Sequence, residues 1–154
     1  GDTLSSRLGS QIRDRLGLTY GIFSNFLAGK NSGTFLIEMQ TSPEDTTKAI
    51  ASTRQLLEDL HQRGVTSAEV ETAKRNLIGN YNVSLASLDE LTYRIIKNNV
   101  LGLEVEELHN YTEKIQAVTP AQVNQAARQL LHPNKIVVVT AGPTDLATQG
   151  KSSK

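Results

Sequence analysis

A chain of 154 residues is long enough to bury a substantial core in one domain. Its 38% hydrophobic and 21% charged residues are those of a globular protein and exclude global disorder. The 16 basic residues balance the 16 acidic ones without blocks of like charge, which argues against a nucleic-acid or membrane-surface footprint, and the absence of cysteine excludes disulfides and thiolate metal sites.

Leu4, Leu8, Ile12 and Leu16 recur every fourth residue and predict one apolar helical stripe, capped by Asp2 or Thr3 and ended by a left-handed Gly17. Arg7, Arg13 and Arg15 lie off that stripe. From Leu18 to Leu27 the pattern is that of a strand. Leu18, Tyr20 and Ile22 share one face, to which Phe26 returns, while Phe23 and Leu27 face the other way. Residues 28–33 are turn chemistry. A second strand follows, with Phe35, Ile37 and Met39 on one face, and the two form an antiparallel hairpin.

The rest is mainly helical. Ser42-Pro43-Glu44-Asp45 opens a helix that runs to about Arg63 on Ile50, Thr53, Leu57 and Leu60 and stops at Gly64. Thr66 and Glu69 form a capping box for a long helix carrying Val70, Ala73, Leu77, Tyr81 and Leu85. A second box at Ser87 and Glu90 breaks or bends that helix, and the continuation reaches Gly102. A shorter helix uses Leu108, Tyr111 and Ile115. Thr119-Pro120-Ala121-Gln122 starts the next, which ends near Pro133. Ile136-Val137-Val138-Val139 is a continuous β-branched run, expected as a strand covered on both faces. Gly142-Pro143 stops it, and residues 144–154 form a polar tail. The fold class is α+β, a small mainly antiparallel sheet packed against several helices. Three strands are few for so much helix: either the sheet is small, or strands that belong to it lie before Gly1.

Chemistry is sparse. Neither H-E-x-x-H nor H-x-x-E-H occurs, and His109 with Glu113 would supply two ligands where zinc needs more, so no metal site is expected in the chain. His61 and His132 read as helix-end residues. There is no cysteine nucleophile, no G-x-S-x-G elbow and no G-x-x-x-x-G-K phosphate loop. Glu106 and Glu107 read as a solvated acidic turn. Arg13 and Tyr20 remain. A guanidinium can hold a peptide carbonyl or a carboxylate, a phenol can donate to a developing oxyanion, and a helix–glycine–strand junction is a rigid place from which to project both. Read alone, they are a surface helix arginine and a half-buried strand tyrosine.

The run Arg13-Asp14-Arg15-Leu16-Gly17-Leu18-Thr19-Tyr20, preceded by Leu4-Ser5-Ser6-Arg7-Leu8, resembles the second, inactive domain of the insulinase-like M16 zinc peptidases, a family shared with mitochondrial processing peptidase. Gly33-Thr34-Phe35, Val65-Thr66-Ser67-Ala68-Glu69-Val70 with Ala73-Lys74, Ala117-Val118-Thr119-Pro120-Ala121-Gln122-Val123, and Val137-Val138-Val139 with Gly142-Pro143 extend the resemblance in order over about residues 1–143. It implies a LuxS/MPP-like metallohydrolase fold, truncated at its start. It also implies a zinc-bearing M16 domain or subunit as partner, since H-x-x-E-H is absent here and no catalytic residue is expected in this chain. By the same resemblance Arg13 and Tyr20 would contact a peptide substrate. Tyr20 would donate to the scissile carbonyl and Arg13 would hold substrate backbone. An apolar face left by the missing elements would be covered by another copy, giving a homo-oligomer. The competing expectation is a scaffold domain like the M16-like subunits of the respiratory bc1 complex, and a weaker one is a peptide-binding module with an open sheet edge.

Overall fold

The computed structural model describes residues 6–29 and 32–142. The expected cap at Asp2 or Thr3, Leu4 of the first stripe, Pro143 and the polar tail lie outside the described residues. The chain divides into two compact units, Gly1–Phe26 with Phe35–Asp59 and His132–Lys154, and Leu27–Thr34 with Leu60–Leu131.

The first unit begins with a short helix whose main body, Gly9–Arg15, is a π-helix. The widened turn is visible in the bond from Leu16 N–H to the Gln11 carbonyl, five residues back, at 3.1 Å. Leu8 and Ile12 are buried as expected, but the stripe fails at Leu16, which faces solvent. Gly17 then takes φ +63°, which favours glycine, and turns the chain out of the helix. Strand β1 (Ile22–Ala28) pairs with β2 (Gly33–Met39) in a two-stranded antiparallel sheet. Leu8, Ile12, Leu18, Ile22 and Ala49 form the core of this unit, with Ile37, Met39 and Leu56 packed against it. Ala49 and Leu56 come from α1 (Thr46–Arg63), whose buried stripe is Ala49, Thr53 and Leu57. The helix starts later than Ser42. Residues 43–45 form a turn instead, in which the Ser42 hydroxyl accepts from Asp45 N–H at 3.2 Å.

Two further expectations fail in this unit. Strand β1 begins at Ile22 rather than Leu18, and Tyr20 does not share a face with Leu18 and Ile22: those two are buried and Tyr20 is fully exposed. The chain bends at Tyr20, which interrupts the two-residue alternation. The second failure is the run Ile136–Val139. It follows a 3₁₀ turn (Pro133–Lys135) and is not a covered strand; Val137 and Val139 are 84% and 87% exposed. A strand needs a neighbour to take its N–H and C=O groups. Among the described residues no strand pairs with this run, and β-branched composition alone does not bury it.

The second unit is built from α2 (Ser67–Ser84), α3 (Leu88–Leu101), α4 (Glu106–Ala117) and α5 (Pro120–Leu130). Capping boxes close at Thr66/Glu69 and at Thr119/Gln122, each with both reciprocal bonds. Ser87 accepts from Glu90 N–H and separates α2 from α3, so the break falls where it is expected. Gly64 and Gly102 both adopt positive φ where helices end. Helix α2 packs on α4 through one face. There the Tyr81 hydroxyl donates to the Leu108 carbonyl at 2.5 Å, and its ring stacks on Tyr111 with centroids 4.2 Å apart. Buried Lys74 donates to the Gln116 carbonyl at the end of α4, at 2.9 Å, and to Glu71 at 3.0 Å. The Asn124 side chain accepts from Val65 N–H at 2.7 Å, tying α5 to the start of α2.

Candidate functional site

The junction from Arg13 to Tyr20 lies within the first unit. Its helical end is anchored by Ile12, whose side chain has no solvent exposure. Its turn is folded back on the helix by Gly17 N–H to the Arg13 carbonyl and Leu18 N–H to the Ile12 carbonyl, both 3.0 Å. Arg13 and Tyr20 therefore project from the two ends of one hydrogen-bonded segment.

Arg13 is 23% exposed at its side chain and forms a forked pair with Asp14, Nε to Oδ1 at 2.7 Å and Nη2 to Oδ2 at 3.2 Å. Two parallel bonds of this kind fix the guanidinium plane. The hydrogen bond, reinforced by charge, raises the Arg13 pKa and lowers that of Asp14. Sequence reasoning missed Asp14, because neighbours one residue apart do not face each other on a regular α-helix. Arg15, also on this helix, donates to Gln11 Oε1 at 3.3 Å.

Tyr20 is set differently. The Thr19 side chain is buried beneath it. Its hydroxyl accepts from Gly21 N–H at 3.1 Å and lies 2.5 Å from the Gln40 carbonyl and 2.7 Å from that of Gly21. The Thr41 hydroxyl donates in return to the Leu18 carbonyl at 2.7 Å. These contacts hold the bend on either side of Tyr20, and the phenol is left free to reach outward. Four apolar side chains of the hairpin in the same unit, Phe23, Phe26, Phe35 and Leu36, are also exposed.

The other candidates stay apart. His109 and Glu113 are both exposed on α4, and His132 precedes the 3₁₀ turn. His61 lies in the last turn of α1 with its Nδ1 buried and without a hydrogen-bond partner. Glu107 is not simply solvated; Lys114 pairs with it at 2.5 Å. Among the described residues no three His, Asp or Glu side chains come together as a group that could hold a metal ion. No described helix is long and apolar enough to cross a membrane.

Comparison with known proteins agrees with this architecture. Residues 1–77 match the family model of the peptidase M16 inactive domain. An uncharacterized zinc protease of Bacillus subtilis, YmxG, is 30% identical over 84% of this chain, and the match covers 32% of the relative. The peptidase M16 inactive domain structure from Pseudomonas fluorescens superposes with a TM-score of 0.78 at 28% identity, over 88% of this chain and 32% of that one. An inactive peptidase domain from Bordetella parapertussis, at 19% identity, shares the fold, with a TM-score of 0.69 over 84% of this chain and 70% of that one. The chain spans about a third of the length of its Bacillus relative. With half of its residues matched by the family model and its fold shared, this chain belongs to the peptidase M16 inactive-domain family.

Proposed function

We propose that this chain is the substrate-contacting, non-catalytic part of a zinc-dependent endopeptidase, helping to enclose and position a peptide while zinc is held by another M16 domain or subunit. The observation that carries the reading is Tyr20: a phenol fully exposed next to buried Leu18 and Thr19, with the backbone on either side of it hydrogen-bonded by the Thr41 and Thr19 hydroxyls. A large side chain presented to solvent from a rigid base is poised to meet something outside the chain. Zinc bound in the partner would supply electrophilic polarisation and an activated water. This chain's own part is narrower. The Tyr20 hydroxyl donates a hydrogen bond to the carbonyl oxygen of the peptide as negative charge develops on it. Arg13, its plane set by Asp14, offers guanidinium N–H groups to a substrate carbonyl. The exposed Phe23, Phe26, Phe35 and Leu36 supply apolar surface against which peptide side chains can rest.

The reading is tested by replacing Tyr20 with the photoreactive p-benzoylphenylalanine and irradiating the chain together with a zinc-bearing M16 domain and fluorescein-labelled casein peptides. The expected result is label transferred to this chain at position 20, suppressed by excess unlabelled peptide. Crosslinks that form equally with and without competitor, or not at all, would contradict substrate contact at this residue.

A further inference from the structure

The proposed role of Tyr20 depends on the bend that carries it. Tyr20 lies outside β1, between the helix and the sheet, where no strand ladder fixes the backbone. Strand β2 likewise ends at Met39, before Gln40 and Thr41. Two threonine side chains bridge the gap with crossed bonds: Thr19 reaches the Gln40 carbonyl, and Thr41 reaches the Leu18 carbonyl. The Thr19 hydroxyl also accepts from Gly21 N–H, a side-chain turn spanning the residue between them. Tyr20 is thus the tip of a turn held on one flank by the Thr19 hydroxyl at Gly21 and on the other by the Thr41 hydroxyl at Leu18.

Resting on the reading of Tyr20 as a substrate contact, we propose that Thr19 is a positioning residue for it, with Thr41 as its counterpart. The pair takes the place of strand pairing and orients the phenol without touching substrate. Valine is the informative replacement, because it keeps the shape of threonine and removes the hydroxyl. A serine retains the hydroxyl and loses only a methyl group.

The test is steady-state hydrolysis of fluorescein-labelled casein by this chain with a zinc-bearing M16 domain, together with ¹⁵N relaxation of the Tyr20 and Gly21 amides. Thr19→Val is expected to lower kcat about 10- to 100-fold, as expected when a reacting contact shifts by about an ångström, with KM little changed. Thr19→Ser should restore most of the loss. In a Tyr20→Phe background Thr19→Val should lower kcat no further, because the phenol through which it acts is already gone. Should Thr19→Val fail to fold, Thr41→Val removes the other bond and leaves Thr19's contacts in place, and it should show the same pattern to a smaller extent. Tyr20 and Gly21 amides should become more mobile in each folded valine variant. The proposal is overturned if a folded valine variant keeps wild-type kcat, if the loss persists undiminished in the Tyr20→Phe background, or if the two amides are as ordered as before. Unchanged turnover in Tyr20→Phe alone is a different failure, and it removes the underlying role of the phenol.

Discussion

Tyr20→Phe is expected to lower kcat for peptide hydrolysis by this chain with the proposed zinc-bearing M16 domain by about 10²-fold or more, the loss typical of one missing oxyanion donor. KM changes little, because the hydrogen bond strengthens as charge develops rather than when substrate binds. The variant is unusually clean. The side chain is fully exposed, so removing its hydroxyl leaves no buried group unpaired and should leave thermal stability within experimental error of wild type. Tyr20→Ala would be a poorer choice, since it also deletes the ring. Comparing kcat and melting temperature for wild type and Tyr20→Phe checks both halves of the expectation. A fall in stability matching the fall in rate would mean that the phenol supports the fold.

Ile12→Ala has the opposite signature. Ile12 is fully buried in the core of Leu8, Leu18, Ile22 and Ala49, and truncating it removes transfer energy and leaves a cavity. The expected cost is about 2–5 kcal/mol, measured by urea denaturation. Ile12→Val should cost roughly 0.5–1.5 kcal/mol. The effect reaches the candidate site because Ile12 anchors the π-helix that contains Arg13 and because its carbonyl accepts from Leu18 N–H. A loss below about 1 kcal/mol for Ile12→Ala would mean that the surrounding side chains close the cavity.

The helical half of the chain was legible because its signals are local. The capping pairs Thr66/Glu69 and Thr119/Gln122, the break at Ser87 and the left-handed Gly17, Gly64 and Gly102 each depend on residues a few positions apart. The strands were harder. Alternation at Leu18, Tyr20 and Ile22 looks like one strand face, but the Thr19 hydroxyl contacts the Gln40 carbonyl from 21 positions away, and the bend reverses Tyr20 alone. No periodicity contains that contact. Ile136–Val139 failed for a related reason: β-branched residues favour a pleated, half-buried surface, yet a strand is made by its neighbours. In the first helix a strict four-residue repeat exceeds the 3.6 of an α-helix, a hint of the widened turn that leaves Leu16 outside. The candidate site was half legible. Arg13 and Tyr20 could be picked out by resemblance, but Asp14, Thr19 and Thr41 act through pairings no motif encodes.

The division of labour between a zinc-bearing domain and this chain is tested most directly by casein hydrolysis measured for the zinc-bearing M16 domain alone, for this chain alone, and for both together as the ratio is titrated. Turnover that is low for either component and saturates as this chain is added is the expected result. Turnover by the zinc-bearing domain that is indifferent to this chain would contradict the account and leave the chain a structural piece.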